Sequence, residues 1–217
     1  DQGLFVSYNN CTSWVPLNNR STSLLTDMAI SGENIITNVA DYSSIDSSNF
    51  GHTWSMNTGL LQGEGGISAT DPYNSSIVIF LTSRPVVSWN GGETFFIPGG
   101  NISGIEKPPL DKYVTFKNGG TQGLIAFGKD NPGYIFIAGK EGIYESTDYG
   151  SSFHLLNNTP QGCLAIALSG NNTFYASNSS GLFISNDLGA SWKLINSEFT
   201  GYGALASLSL DPENQDI

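Results

Sequence analysis

Carboxylates are the side chains in this sequence that could support hydrolytic chemistry. Hydrolysis of a glycosidic bond requires two carboxyl groups, about 5 to 9.5 Å apart, that flank the bond. Asp71 and Asp211 each precede a proline and end a β-rich run, in SATDP and SLSLDP. Because Asp-Pro commonly begins a turn, we interpret both as turn-forming residues, and a catalytic role is the alternative. Other acids outside the repeated motifs include Asp27, Asp41, Asp46, Glu64, Glu106, Asp111 and Asp130.

Other catalytic and cofactor motifs are not evident. His52 lies inside a turn motif and His154 begins a β-rich run, so neither indicates a catalytic triad. The GEGG segment at 63–66 is a turn-rich linker and does not have the pattern of a phosphate-binding loop. We therefore expect no metal and no cofactor.

Composition narrows the class of protein. With 26 glycines, 12% aromatic and only 12% charged residues among 217, the chain has the profile of a turn-rich all-β protein. Its formal net charge of −11 disfavours binding to nucleic-acid phosphates. No run reaches the roughly 20 apolar residues that a membrane span needs. The Asp-Gln start shows no leader pattern, so we expect a mature product or a piece of one.

Asparagine triplets indicate the compartment. Pro160 directly follows the triplet at Asn157 and should weaken that site. Single triplets arise by chance, but seven predict N-linked glycans and a protein that is secreted or lies in the lumen of the secretory pathway. The seven triplets of the form Asn-x-Ser/Thr begin at Asn10, Asn19, Asn74, Asn101, Asn157, Asn171 and Asn178.

The two cysteines, Cys11 and Cys163, fit that compartment. An even count in an oxidising environment predicts one disulfide, which would constrain the unfolded chain by about 4 to 5 kcal/mol in the loop-entropy model. A pair of buried free thiols is the alternative.

One eight-residue motif occurs five times and organises the chain. Its closing aromatic residues are separated by 40, 41, 58 and 39 residues. Four short β-rich runs recur around the copies, which predicts an all-β fold of four-stranded antiparallel β-propeller blades, either about five blades or an arc of a larger ring. We expect one domain over residues 1–217, with blade-like units ending near 14, 54, 95, 153 and 192. The copies are box 1 (SYNNCTSW, 7–14), box 2 (SSNFGHTW, 47–54), box 3 (SWNGGETF, 88–95), box 4 (STDYGSSF, 146–153) and box 5 (SNDLGASW, 185–192).

Box residues are predicted to be structural. A short side chain such as that of Asp148 can accept backbone N–H bonds, Gly150 supplies a positive φ, and Phe153 packs and fixes the register of the last strand. Cys11 stands where the other boxes have glycine, so we expect box 1 to be distorted. The corresponding residues elsewhere are Asn9, Trp14, Asn49, Gly51, Trp54, Asn90, Gly92, Phe95, Asp187, Gly189 and Trp192. Asparagine replaces aspartate in three boxes, which a turn tolerates and a catalytic carboxylate does not.

The boxes resemble Asp-box repeats, also called bacterial neuraminidase repeats, with the pattern Ser-x-Asp-x-Gly-x-Thr/Ser-Trp. The resemblance covers nearly the whole chain and implies a propeller whose boxes join the third and fourth strands of each blade, away from the active centre. Such propellers include sialidases, xyloglucan-cleaving glycosidases, sortilin-type receptors and photosystem assembly factors. Sialidases hold the substrate carboxylate with three arginines, and Arg20 and Arg84 are the only two in this chain. Sialidase activity is therefore not expected.

The insertion at 99–122 is the most individual segment. It carries Lys107, Lys112, Tyr113, Phe116 and Lys117, which would suit contact with a ligand or another subunit. A long surface hairpin without a partner is the alternative, and unpaired strands at the chain ends could join copies of the chain. We therefore expect an extracellular, non-enzymatic structural or binding module that contacts a protein, a glycan or itself. The alternative is a polysaccharide-cleaving glycoside hydrolase of the xyloglucanase type, or a fragment of one.

Overall fold

The computed structural model describes residues 5–16, 25–39, 44–57, 67–81, 84–105, 124–169, 172–197, 208 and 210. The regular structure in these ranges is all β, with eighteen short strands. Within the same ranges there is no helix that is both long and apolar enough to cross a membrane.

The strands are short, as expected for a chain divided by Gly, Asn, Asp and Ser turns. The first nine are β1 (Phe5–Val6), β2 (Val15–Pro16), β3 (Leu25–Ser31), β4 (Asn34–Val39), β5 (Ser44–Ser47), β6 (Ser55–Asn57), β7 (Ile67–Asp71), β8 (Asn74–Leu81) and β9 (Pro85–Ser88). The other nine are β10 (Gly99–Gly100), β11 (Ile125–Phe127), β12 (Ile135–Ala138), β13 (Ile143–Ser146), β14 (Ser152–Leu155), β15 (Ala165–Leu168), β16 (Phe174–Asn178), β17 (Gly181–Ser185) and β18 (Lys193–Asn196).

Consecutive strands pair as antiparallel meanders. The sheets β3-β4-β5-β6 and β15-β16-β17-β18 are complete four-stranded units, and β11-β12-β13-β14 is a third. The sheet β7-β8-β9 has three strands, and a single bridge between Val87 and Phe96 stands where a fourth strand would begin. The strands β1 and β2 pair across box 1. The predicted blade unit is therefore present, and boxes 2, 4 and 5 join the third strand of a four-stranded unit to the fourth.

The chain forms two compact units, residues 1–82 with 88–95 (the first unit) and residues 83–87 with 96–217 (the second unit). In the first unit, β8 is exposed over its first three residues and buried over Ile77–Leu81. A continuous apolar run of this length is typical of a strand covered on both faces. Phe80 lies edge-on to Phe95, with 5.1 Å between ring centroids, so the closing residue of box 3 packs in the core.

The second unit has an aromatic core. All four residues of β12 are buried, and Phe136 contacts Phe174 edge-on at 4.9 Å between ring centroids. Phe174 also contacts Trp192, which closes box 5, at 5.3 Å. Phe153, which closes box 4, is fully buried. The closing residues of boxes 4 and 5 therefore connect their turns to the core, whereas Trp14, which closes box 1, is 56% exposed.

One pairing in the second unit departs from a simple meander. The two-residue strand β10 pairs in parallel with β14, so the outer edge of that four-stranded sheet carries a fifth strand. Gly100 has a φ of 86°, and a Cβ at this position would collide with the carbonyl oxygen of Phe153. The close approach of the two backbones therefore requires glycine. The rest of the predicted insertion, residues 106–122, lies outside the described residues.

Candidate functional site

Each box is held by a serine and an aspartate or asparagine two residues later. In box 4, the Ser146 hydroxyl donates to Asp148 Oδ1 at 2.7 Å and accepts the Gly150 N–H at 2.8 Å. Asp148 Oδ1 also accepts the Ser152 N–H at 2.9 Å. The turn therefore satisfies its own backbone donors through two side chains. Equivalent contacts occur in the other four boxes, with Cys11 in place of glycine in box 1 and asparagine in place of aspartate in boxes 1 to 3. The serines are Ser7, Ser47, Ser88 and Ser185.

Aspartate and asparagine boxes differ in the direction of one hydrogen bond. In box 5, the Ser191 hydroxyl donates to Asp187 Oδ2. In box 2, the Asn49 Nδ2 instead donates to the Thr53 hydroxyl at 2.8 Å. Hydroxyl groups donate or accept, so both side chains complete the same turn. This reversal explains why a box tolerates asparagine.

In the aspartate boxes, hydrogen bonds lower the pKa of the carboxyl group. Hydrogen bonds from the Ser185 and Ser191 hydroxyls, followed by the Ser191 N–H, lower the pKa of Asp187 from 3.8 to about 2. Partial burial raises the pKa of Asp148, but its hydrogen bonds from Ser152 and Ser146 outweigh burial and leave the pKa below its ordinary value. Both carboxylates are therefore ionised acceptors at neutral pH, which fits a structural role and gives no proton donor.

Two consecutive residues of every box have a positive φ. The glycine position was predicted, with φ of 83° at Gly150 and 92° at Gly189. A positive φ at the residue before the glycine was not predicted, and examples are Phe50 at 55° and Leu188 at 54°. Cys11 adopts a φ of 63°, and box 1 keeps the hydrogen bonds of the other boxes. The prediction of a distorted box 1 was therefore wrong, because the side-chain network holds the left-handed conformation without glycine.

The box turns of one sheet lie beside hairpins that join the first two strands of a sheet. In the first unit, the Phe50 N–H donates to Glu33 O at 2.9 Å, and the Gly91 N–H donates to Ser76 O at 2.8 Å. A Cβ on Gly91 would lie 3.2 Å from the Asn34 amide nitrogen, so box 3 contacts both hairpins. We name the resulting continuous row, residues 31–34, 49–51, 71–76 and 89–92, the turn edge.

Exposed aromatic side chains stand on the turn edge. Phe50 is 52% exposed and Trp89 is 37% exposed, and Tyr73 lies in the neighbouring hairpin. Their exposure contrasts with the closing residue Phe95, which packs on Phe80. The sequence contained this signal, since boxes 1 to 4 each place an aromatic residue before the glycine or after the serine. The common location of these aromatic residues was visible only in the structure.

Asp71 caps the hairpin between β7 and β8. Its Oδ1 accepts the Tyr73 N–H at 2.8 Å, and the carboxyl group is buried. Burial raises the pKa of Asp71, and the backbone N–H groups of Tyr73 and Asn74 oppose that rise. This geometry supports the turn-forming interpretation over the catalytic alternative. Asp211 lies outside the described residues.

Other acids are also bound within the fold. Asp27 Oδ2 accepts the N–H and the hydroxyl of Ser68, with the hydroxyl at 3.1 Å. Burial raises the pKa of Asp27, and these hydrogen bonds oppose it. The exposed His154 pairs with Glu145 at 3.2 Å, and His52 is exposed in box 2. Among the residues that the structure describes, no three His, Cys, Asp or Glu side chains form a metal-binding group.

The predicted disulfide is absent from the structure. Cys11 is exposed and free, whereas Cys163 is buried and its thiol donates to Pro160 O at 3.0 Å. Burial raises the pKa of Cys163 to about 12, so this thiol stays protonated and unreactive. The pairing was inferred from an even count of cysteines, and a count carries no information on position.

The remaining predicted sites are unevenly placed. Asn10, Asn74, Asn101 and Asn157 are exposed, and Asn178 is buried. Asn19 and Asn171 lie outside the described residues, as do the predicted partner contacts Lys107, Lys112, Tyr113, Phe116 and Lys117. Arg84 is described, and Arg20 is not.

No protein-family model matches the chain, and no curated protein matches its sequence. Solved structures are similar in fold. A GH74 enzyme of Niastella koreensis has a TM-score of 0.67 and 20% identity over 90% of this chain and 28% of its own. The GH74 xyloglucanase of Xanthomonas campestris has a TM-score of 0.64 and 15% identity over 92% of this chain and 29% of its own. YCF48, solved with the D1 peptide, has a TM-score of 0.52 and 13% identity over 84% and 57%.

These similarities agree with the strand topology. The protein has the β-propeller fold, built of four-stranded antiparallel blades. The chain spans less than a third of the length of the two GH74 proteins. At this level of identity, the comparison establishes the fold alone.

Proposed function

We propose that the chain forms Asp-box propeller blades that act outside the cell as a non-enzymatic binding module. Its ligand is a neutral polysaccharide that lies along the turn edge. The observation that carries this proposal is the exposure of Phe50 and Trp89 on one continuous row of hydrogen-bonded turns.

The turn edge is suited to holding aromatic groups in place. The backbone at Phe50 is fixed from both sides, because its N–H bonds the neighbouring hairpin and box 2 closes on Asn49. Aromatic side chains supply a large contact area with few rotatable bonds, so a fixed backbone lowers the entropy cost of binding. Flat, amphipathic surfaces of this kind suit the faces of sugar rings.

Charge favours a neutral ligand. The described part of the first unit contains five acids, Asp27, Glu33, Asp46, Asp71 and Glu93, and no lysine or arginine. Glu33 and Glu93 are exposed beside the turn edge. Anionic polymers would be repelled by such a surface, whereas an uncharged polysaccharide would not. A similar fold in a xyloglucanase makes xyloglucan the first polysaccharide to test.

A panel of soluble polysaccharides tests the proposal. The protein should bind xyloglucan or another neutral member of the panel, retain it after washing, and release no new reducing ends. An acidic polysaccharide such as polygalacturonate is the matched control and should not bind. Binding of the acidic polymer alone would contradict the proposal.

A fragment of a glycoside hydrolase is the second candidate. It is favoured by the alignment of at least 90% of this chain with two GH74 proteins. The capping role of Asp71 weighs against it, since that carboxylate already bonds the turn backbone. Release of reducing ends that is lost in Asp71→Asn, with the fold retained by circular dichroism, would support the hydrolase and contradict a purely binding role.

A further inference from the structure

The predicted glycosylation triplets differ in what the fold does with the asparagine side chain. Asn178, at the end of β16, is only 8% exposed. Its Nδ2 donates to Gln161 O at 2.9 Å, and its Oδ1 accepts the Ser180 N–H at 2.7 Å. Attachment of a sugar would replace one amide hydrogen and place a bulky polar group on a buried nitrogen. Both changes would cost free energy in the folded state.

Asn74 and Asn101 have the opposite geometry. Asn74 is exposed, and its Oδ1 accepts the Ser76 N–H at 3.2 Å. Asn101 is exposed, and its Oδ1 accepts the Ser103 hydroxyl at 2.9 Å. In each triplet the third residue contacts the asparagine oxygen, and Nδ2 makes no hydrogen bond to another residue that the structure describes. The nitrogen that would carry the sugar is therefore available in both.

The other two described triplets, at Asn10 and Asn157, also differ in their accessibility for modification. Asn10 is exposed at the left-handed position of box 1, and its side chain makes no hydrogen bond within the described residues. At Asn157, the Thr159 hydroxyl accepts the Ile143 N–H at 3.0 Å, so the hydroxyl of that triplet belongs to the fold. Pro160 follows it and is buried.

We propose that Asn10, Asn74 and Asn101 carry N-linked glycans in the mature protein, and that Asn157 and Asn178 carry none. The donor is a lipid-linked diphospho-oligosaccharide. The bond between sugar C1 and the diphosphate oxygen breaks, C1 bonds Nδ2, Nδ2 loses one proton, and the lipid diphosphate leaves. The inference rests on the extracellular location in the proposed function. It does not require a polysaccharide ligand, but Asn74 lies on the turn edge, so a glycan there would stand beside the proposed binding surface.

Site-by-site mass spectrometry tests the assignment. The whole chain is expressed with a secretion signal in eukaryotic cells, and both secreted and cell-retained protein are treated with peptide-N-glycosidase in H₂¹⁸O. The enzyme converts each glycosylated asparagine to labelled aspartate. We expect conversion at Asn10, Asn74 and Asn101 in secreted protein and none at Asn157 or Asn178. Conversion at Asn178, or its lack at both Asn74 and Asn101, would overturn the proposal.

Two glutamine variants separate modification from folding. Asn74→Gln should lose the mass of one glycan and keep the melting temperature of the enzymatically deglycosylated wild type, when compared after the same treatment. Asn178→Gln should keep the glycan mass of the wild type and melt at a lower temperature, because the hydrogen bond to Gln161 is lost. The reverse pattern would overturn the assignment. A protein that is glycosylated as proposed but binds no polysaccharide after its glycans have been removed would refute the ligand alone.

Discussion

At the scale of single residues, the short polar side chains of the boxes form the hydrogen bonds that hold the turns. Ser146 and its equivalents are among the most buried polar residues described, with Ser47, Ser88, Ser146 and Ser185 all at most 3% exposed. Each hydroxyl both accepts a glycine N–H and donates to the side chain two residues later. The serine is therefore as important to the box as the aspartate that gives Asp-box repeats their name.

Replacing the buried serine should destabilise the protein. In Ser146→Ala, the Gly150 N–H loses its acceptor in a buried turn, so we expect a loss of about 1–3 kcal/mol in the free energy of unfolding. The matched control is Ser151→Ala, since the Ser151 hydroxyl is exposed and donates to Asp148 O. That variant should lose about 0.5 kcal/mol or less. Equal losses in urea unfolding would refute the special role of the buried hydroxyl.

Replacing the aspartate of a box with asparagine should remove the contribution of that box to the pH dependence of the free energy of unfolding. The pKa of Asp187 is lowered to about 2 in the fold, so its ionised form stabilises the folded state above its ordinary pKa of 3.8. That contribution should disappear as pH falls from about 4 to about 2. In Asp187→Asn, the box keeps its shape by the hydrogen bond seen at Asn49. The stability difference between wild type and variant should therefore shrink over this pH range.

The reciprocal variant is the control. In Asn49→Asp, box 2 holds a carboxylate between Ser47 and Thr53. The difference in free energy of unfolding between this variant and wild type should therefore also shrink as pH falls. Buried acids such as Asp27 titrate in both proteins of each pair and cancel in the difference. A flat difference in urea unfolding across this range would contradict the role assigned to the charge.

At the scale of strands, the outer edges of the two complete sheets in the second unit are protected from further pairing. The edge of β14 is covered by β10, and the edge strand β18 contains an irregular register opposite Leu182 and Phe183. Covered edges and bulges both reduce strand-to-strand association. These features disfavour strand-to-strand assembly through β14 and β18.

The covering strand β10 depends on one glycine. Gly100→Ala would place a Cβ against the Phe153 carbonyl at a positive φ, and we expect a loss of about 1–3 kcal/mol as β10 leaves β14. Gly99→Ala is the matched control, since its Cβ would make an ordinary contact at 3.6 Å from Ser151 O. Hydrogen exchange of the Gly99 amide, which bonds Ser151 O, should quicken only in Gly100→Ala. Equal exchange in both variants would contradict the account.

At the scale of the molecule, the repeating box and its four-stranded meander could be predicted from the sequence, whereas pairing between distant strands could not. Repeats of serine, aspartate and glycine encode a turn through local hydrogen bonds, so the box and its meander could be predicted from the residues alone. The turn-forming interpretation of Asp71 rests on the same local chemistry, and the hydrogen bond from the Tyr73 N–H supports it. The pairing of Gly99–Gly100 with β14 could not be predicted, because it depends on a contact between residues about fifty positions apart.

The candidate site was less predictable than the fold. The positive φ at Phe50 and Leu188 accompanies a backbone hydrogen bond to a neighbouring hairpin, and residue type does not predict that bond. Asn178 has the same triplet pattern as Asn74, and only burial separates them. Cys11 and Cys163 could not be assigned as free from a count. In each case the deciding quantity is the environment provided by distant residues.

The most direct test of the central claim is the mobility of the protein in native gels that contain xyloglucan. The wild type should be retarded, and the double variant Phe50→Ala with Trp89→Ala should migrate as in a gel without polysaccharide. Met56→Ala is the matched control, because Met56 is 63% exposed on β6 and is not part of the turn edge, so its loss should leave retardation unchanged. Equal retardation of wild type and double variant would contradict the claim that the turn edge binds polysaccharide.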